Sequence, residues 1–403
     1  MVAKARAKRM PDDEAARIAL EYFNPEERHK LADLVDWDLS TSGSDTEEIV
    51  RAEKRAAARA WRALRHAFAR GLVTVVRTPR PLLDETLSDQ LRDAFRNLLS
   101  VQVVNLNHLF PKSQKEEDQR VFDDKVHQEL GYATAHWIAQ GTLFQDHSTI
   151  GLGSGRAVYH TASFLKHFHV LSARDVTLMS LTGFVYARDH ADKLGRSLEA
   201  DTHTALMVGC FSNQVRAYTI PFPIAHPTHN ALQQTRRKAL LDNSQWSELR
   251  PRYALFGVGV LGPGHRLYEE AKAVKHEKHL EPLLDPLKAL VSICDRVRNE
   301  CGDPLYYPVG DIANQLFYIQ GPSSIQVQDQ HRLEITELIS DINSRLLTVT
   351  PEQLEDVENI ILIAGTTSKA LAIRELLIRE RFNIRFLCTD KLTAAEILKY
   401  PPE

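Results

Sequence analysis

Apolar and polar positions follow two different periods along this chain. Near the N-terminus the period is helical. Ala57, Trp61, Leu64 and Phe68 share one face of a helix predicted over residues 45–70, while Arg51, Arg55, Arg59, Arg62, His66 and Arg70 fall on the opposite face. Such a helix buries one side and shows water a cationic stripe. Two shorter helices are predicted before it, over residues 14–23 and 25–35, the second with Asn24 as N-cap and Pro25 at its first position. Gly71 ends the long helix, residues 72–76 read as a strand, and Pro79 and Pro81 mark a boundary.

Beyond that boundary short apolar runs alternate with helical stretches. Strands are predicted over residues 101–106, 149–152, 176–181, 217–220, 253–260, 359–363 and 384–387, with helices over 84–99 and 117–141 among the intervening segments. Strand–helix alternation of this length predicts a mostly parallel, doubly wound, Rossmann-like sheet covered on both faces. The chain thus reads as an N-terminal helical region, residues 1–80, and an α/β domain, residues 81–403. Ligands of such sheets bind beyond the carboxyl ends of the strands. Those ends carry residues 151–156, 182–183, 257–264 and 365–369, which can converge on one crevice.

Two of these ends have the form of phosphate cradles: T-I-G-L-G-S-G-R-A-V-Y over residues 149–159 and N-I-I-L-I-A-G-T-T-S-K-A over residues 359–370. Glycines let the backbone turn sharply, and the helix that follows begins with unpaired N–H groups and a positive dipole end. The candidate ligand residues are Gly153, Ser154, Gly155 and Arg156 on the first, and Thr366, Thr367, Ser368 and Lys369 on the second. Arg156 would offer a bidentate guanidinium, Lys369 a point charge, and the hydroxyls further donors. Gly257 and Asp311 lie at two other turns. Asp311 either meets the ligand or caps a helix starting at Ile312.

Charge changes this picture at one end only. The whole chain of 403 residues has a net charge of −3, but residues 1–80 sum to +3 and residues 81–403 to −6. Residues 51–80 hold nine basic side chains against the single acid Glu53, so the cationic stripe has little to neutralise it and fits duplex DNA. Cys210, Cys294, Cys301 and Cys388 show no paired spacing, nothing at the N-terminus resembles a cleavable signal, and a cytoplasmic protein is expected. No apolar run is long enough to suggest a membrane span. The pairs His226/His229, His276/His279 and His167/His169 each lack a third ligand at a recognisable spacing, so neither a metal nor a cofactor is expected.

From residue 72 onward the chain resembles the effector-binding domain of SorC-type bacterial transcription regulators, related to DeoR regulators and to sugar-phosphate isomerases. The carriers are I-G-L-G-S-G-R-A at 150–157, P-F-P-I at 221–224, F-G-V-G-V-L-G at 256–262, P-V-G-D-I at 308–312, A-G-T-T-S-K-A at 364–370 and F-L-C-T-D at 386–390. The resemblance implies that Lys369 faces a phosphate and Asp311 faces sugar hydroxyls. Two departures are visible. Ser154 replaces an aromatic residue, and Ala157 stands where the family usually has a Thr whose hydroxyl helps hold phosphate. Family members carry an N-terminal helix-turn-helix. R-G-L-V at 70–73 resembles its end, but the usual recognition helix is not readable, so residues 1–80 form an atypical version.

The resemblance implies a transcription regulator that binds double-stranded operator DNA through residues 1–80. Residues 81–403 would bind a small anionic effector, a sugar phosphate, and assemble a homodimer or homotetramer. A second reading is an isomerase- or deaminase-like enzyme using Asp201, His203 or Asp311 as proton shuttle. A third is a ligand-binding regulator that acts through protein contacts.

Overall fold

The computed structural model describes residues 81–106, 116–140, 143–168, 171–185, 199–239, 241–273, 280–323, 325 and 327–400. The chain divides into two units, residues 1–80 and 81–403, and every described residue belongs to the second. The elements predicted before residue 81, with Arg51, Arg55, Arg59 and Arg62, lie outside the described residues.

Among the described residues seven strands form one sheet: β1 (Ser100–Val104), β2 (Thr149–Leu152), β3 (Thr177–Ser180), β4 (Arg216–Tyr218), β5 (Tyr253–Phe256), β9 (Asn359–Ile363) and β10 (Ile384–Asp390). Three more, β6 (Val258–Val260), β7 (Val309–Ile312) and β8 (Gln315–Tyr318), form a second sheet. The large sheet has the order β1-β10-β9-β5-β2-β3-β4, and every pairing in it is parallel. The small sheet is antiparallel.

Alternate residues of the central strands feed two separate cores. Tyr253 and Leu255 of β5, with Ile361 and Ile363 of β9, pack with α2 (Glu116–Ala139), α3 (Arg156–Leu165) and α4 (Ala200–Val208) through Leu130, Ile138, Val158, Leu165 and Met207. Ala254, Phe256, Ile360 and Leu362 face the other core. There they join α1 (Glu85–Ala94), α5 (His229–Lys238), α6 (Asn243–Leu249), α7 (Arg266–Lys272), α8 (Glu281–Cys301), α9 (Asp329–Asn343), α10 (Pro351–Glu355), α11 (Ala370–Ile378) and α12 (Lys391–Leu398). A parallel strand buried on both faces must be apolar at every position, which is why these strands read as unbroken apolar runs.

Three predicted elements differ. The run over 253–260 is two strands in two sheets, because the chain leaves the large sheet at Gly257. The helix predicted over 84–99 ends at Ala94, where Phe95 turns to φ −123. Nor does a helix start at Ile312: Asp311 lies inside β7, and Ala313 and Asn314, at φ 55 and 62, form the two-residue turn into β8.

Adjacent strands β2 and β5 send the chain in opposite directions, to β3 and β4 on one side and to β9 and β10 on the other. Their carboxyl ends open the crevice where sheets of this kind hold ligands.

Candidate ligand-binding site

The loop after β2 is fixed by its first glycine and opened by its second. A Cβ on Gly153 would come within 2.5 Å of the Phe256 ring, so only glycine passes there. Its N–H donates to the Leu255 carbonyl (2.9 Å) and its carbonyl accepts from Nδ1 of the buried His203 (2.8 Å). Gly155 has φ 122 with open space where a side chain would be, and it precedes α3 without any side-chain cap on the helix's first amides. Arg156 is the first residue of α3. A cation there opposes the helix dipole, and among the described residues the guanidinium has no hydrogen-bond or ion-pair partner.

The loop after β9 is held by Asp390 at the end of β10. A Cβ on Gly365 would sit 2.5 Å from Asp390 Oδ2, the same oxygen that accepts from the Thr366 N–H at 2.8 Å. That bond keeps Thr366 at φ 81, a strained conformation for a β-branched residue. Thr366 and Ser368 share a hydroxyl–hydroxyl bond of 3.2 Å, and Thr367–Lys369 form one 3₁₀ turn before α11. The Lys369 ammonium donates to His127 Nε2 of α2 at 2.8 Å. Burial pushes Lys369 down to about 8, Arg156 adds to that shift, and Asp123, Asp311 and Asp390 oppose it. His127 is driven well below the ordinary histidine value, first by burial and then by Lys369 and Arg156. Two cations thus meet at the strand ends with no carboxylate within ion-pair distance among the described residues.

A polar wall adjoins this cluster. His265 Nε2 and Asp311 Oδ1 are 2.9 Å apart, and Gly259 makes room for them: a Cβ there would lie 1.8 Å from Asp311 Oδ1. Burial pushes the Asp311 carboxyl up, but the His265 hydrogen bond, the charges of His265 and Arg266 and the Asn314 N–H outweigh it and leave it below the usual carboxylate range. Arg266 donates to Glu199 Oε1 (3.0 Å) and to Ser154 Oγ (2.8 Å). Asn314 Nδ2 donates to Ser154 Oγ (3.2 Å) and to Thr182 Oγ1 (2.8 Å). Ala157 is buried in the apolar core, so no polar group stands at the family's Thr position.

The structure therefore gathers Ser154, Gly155, Arg156, Asp311 and Lys369 around one set of strand ends. Gly153 shapes its loop, and Gly257 is the point where the chain changes sheets. Thr366 and Ser368 spend hydroxyl capacity on each other. His203 donates to the Gly153 carbonyl and its ring lies 6.2 Å from that of Tyr159, and Asp201 accepts from the Thr202 N–H. His127, Glu199, His265, Arg266 and Asn314 were not anticipated from the sequence. Only the turn chemistry of Asn314, a residue that tolerates positive φ, left a local signal. Among the described residues no group of three or more metal-ligating side chains occurs, while His169, His276 and His279 lie outside them. A separate groove of about 730 Å³ is lined by Ile312, Phe317, Arg332, Arg379, Arg381 and Phe382. Its arginines are already paired with Asp329, Glu375 and Glu355, so it lacks the free cations of the strand-end cluster.

Residues 336–399, which include β9, Lys369 and β10, match the family model described as a "putative sugar-binding domain". No curated protein matches the chain. The full-length sorbitol operon regulator SorC from Klebsiella pneumoniae is similar in structure, with 16% sequence identity and a TM-score of 0.51 over 93% of this chain and 100% of that one. A "putative sugar-binding domain" of a transcriptional repressor from Vibrio fischeri has 16% identity and a TM-score of 0.51 over 78% and 98%. A transcriptional regulator from Streptococcus pneumoniae has 15% identity and a TM-score of 0.50 over 78% and 96%. The family model thus marks residues 336–399 as similar to a putative sugar-binding domain, and the solved structures share the fold over most of the chain. Among the described residues no helix is long and apolar enough to cross a membrane.

Proposed function

We propose that this chain is a DNA-binding transcription regulator whose operator affinity is set by a small anionic metabolite, a phosphorylated sugar or similar polyol. The observation that carries the reading is that Arg156 and Lys369 follow β2 and β9 closely enough for the Arg156 charge to disfavour the Lys369 ammonium, with no carboxylate within ion-pair distance of either among the described residues. The two cations repel one another, Asp123, Asp311 and Asp390 offset this only in part, and an anion between the loops relieves the rest. Beside them, Ser154, Asn314, Asp311 and His265 supply the donors and acceptors that hydroxyl groups of a polyol need. Residues 1–80, with Arg51, Arg55, Arg59 and Arg62, are the DNA-contacting part of this proposal. Residues 81–403 bind the effector and form the homodimer or homotetramer.

Regulation then follows from linkage. An anion that prefers one subunit arrangement shifts the spacing of the DNA-binding heads by no more than its differential affinity for the two arrangements. The enzyme reading gains no support from the hydrogen bonds of its candidates, since His203 Nδ1 donates to the Gly153 carbonyl and Asp201 accepts from the Thr202 N–H.

The test is a thermal-shift screen of the full chain with phosphorylated and free sugars, followed by operator binding with each hit. A true effector at 100 times its dissociation constant stabilises the folded state by about 2.7 kcal/mol. A hit that stabilises the chain and changes operator affinity supports the proposal. Hits restricted to neutral compounds would overturn the anion assignment, and an effector that leaves DNA binding unchanged would favour a regulator acting through protein contacts.

A further inference from the structure

Lys369 reaches the strand-end cluster from a 3₁₀ turn, and its ammonium is held by a helix that follows a different strand. His127 on α2 is 7% exposed. Its Nδ1 lies 2.5 Å from the Asp123 carbonyl, one turn back on the same helix, and a carbonyl can only accept. Nδ1 therefore carries the proton. Its Nε2 lies 2.8 Å from Lys369 Nζ. With the imidazole neutral, Nε2 is the acceptor and the ammonium donates to it. The reverse assignment needs an imidazolium buried beside Arg156 and a neutral lysine, which costs more than the ordinary one. An ammonium has three N–H groups, so one is anchored and two remain for whatever enters between the loops after β2 and β9.

Building on the anion-binding reading above, we infer that His127 is a positioning residue of that site: it takes one N–H of Lys369 and so aims the other two at the bound anion. The groups around this pair come from every element packed on it. Asp123 lies on α2. Arg156 lies on α3 with His160, whose Nε2 is 3.8 Å from Asp124. Asp311 is on β7 and Asp390 on β10. The acids keep Lys369 charged, while burial and Arg156 work against that charge. An acceptor that is itself uncharged holds the ammonium without cancelling it. A carboxylate at position 127 would pair with Lys369 and compete with the anion.

The proton arrangement sets the direction of the pH dependence. Anion binding requires the ammonium, so affinity falls as pH rises through about 8, where Lys369 loses its proton. Removing the neutral acceptor takes away a hydrogen bond to the charged form and moves this loss to lower pH.

The test is calorimetric titration of the full chain with inorganic phosphate. Sulfate, whose charge is constant across the range, serves for the pH profile from 6 to 9.5. Four proteins are compared: the wild type, His127→Phe, His127→Gln and Lys369→Ala. We expect His127→Phe to weaken phosphate by about tenfold, the scale of a hydrogen bond to a charged group, and to move the alkaline loss of sulfate binding downward. His127→Gln presents an amide oxygen to Lys369 and should restore most of both. If phosphate binds the wild type and needs Lys369 but both His127 variants bind it unchanged, His127 is not a positioning residue, although the anion site stands. Equal weakening in both variants with an unmoved pH profile would reduce His127 to a packing role and also overturn the inference. If wild type binds neither anion, or Lys369→Ala binds as well as wild type, the anion-site reading falls and the inference falls with it. Thermal unfolding of each variant separates lost affinity from lost fold.

Discussion

Asn314 Nδ2 lies 3.2 Å from Ser154 Oγ, joining the tip of the β7–β8 hairpin to the loop after β2. The same nitrogen reaches Thr182 Oγ1 at 2.8 Å, so one amide ties together the ends of β2 and β3 and the small sheet. Asn314 has φ 62, which glycine adopts freely and alanine does not. Asn314→Gly therefore removes the side chain alone, and it should cost roughly 1–3 kcal/mol in denaturant unfolding, because the buried Thr182 hydroxyl loses a partner. Asn314→Ala should cost about 1 kcal/mol more through the backbone. An alanine variant more stable than the glycine one would show that the turn differs from the one described.

Ser154 accepts from both Arg266 (2.8 Å) and Asn314 (3.2 Å). A hydroxyl has two lone pairs and one proton, so filling both lone pairs leaves Ser154 as a donor. Ser154→Ala should weaken a phosphorylated effector by roughly 1.5–3 kcal/mol, read by calorimetry. Ala157→Thr should not restore the loss. Ala157 is 3% exposed in the core, and added atoms there should cost about 1–3 kcal/mol of stability by overpacking. Equal affinity for phosphorylated and free forms of the effector would remove the case for a phosphate.

The cationic stripe makes a prediction independent of the strand ends. If its arginines neutralise DNA phosphates, replacing Arg55, Arg59 and Arg62 by Ala flattens the salt dependence of operator binding by a log–log slope of up to ~0.9 per lost contact. An unchanged slope in a filter-binding or anisotropy titration would reject this face as the DNA contact.

The large sheet was legible because its strands are buried on both faces and therefore read as apolar runs between helical stretches. Arg156 and Lys369 were legible for a related reason: each follows such a run and a glycine turn, and local sequence alone places both beyond a strand. The small sheet was not. Y-A-L-F-G-V-G-V over 253–260 has no polar residue to mark the change of sheet at Gly257, and the β7–β8 turn uses Ala313-Asn314 rather than an Asn-Gly pair. His127 and Arg266 escaped for a deeper reason. Their partners, Lys369 and Ser154, are 242 and 112 residues away, and helical periodicity says only which face a residue occupies.

Gly259 and Gly257 provide a matched pair. A Cβ at 259 would lie 1.8 Å from Asp311 Oδ1 and 2.9 Å from His265 Cδ2, whereas one at 257 would meet only the Ile363 carbonyl at 3.8 Å. Gly259→Ala should force His265 and Asp311 apart and cost at least ~2 kcal/mol in denaturant unfolding, since a buried carboxylate would lose its partner. Gly257→Ala should stay within about 1 kcal/mol of the wild type. Similar costs for the two would mean that the His265–Asp311 pair can shift without penalty.

Lys369 sets stability against binding. Its value is pushed down to about 8, by burial first and by Arg156, so between about 8 and the ordinary value of 10.5 the unfolded chain holds more protons than the folded one. Stability of the ligand-free protein therefore rises with pH across that window, and below it the cost of the buried charge is present in full. Lys369→Met removes that charge. It should raise the unfolding midpoint at pH 7, by about 2–4 °C for each kcal/mol relieved, and flatten the rise on the alkaline side. The same variant should lose the response to phosphate. Arg156→Ala should do both to a smaller degree, and the two stabilisations should sum to more than the double variant gains, since repulsion between two groups can be relieved only once. If Lys369→Met instead destabilises the ligand-free protein at pH 7, the ammonium is already compensated in the folded chain, and the strand ends do not hold an unsatisfied positive charge for an anion to fill.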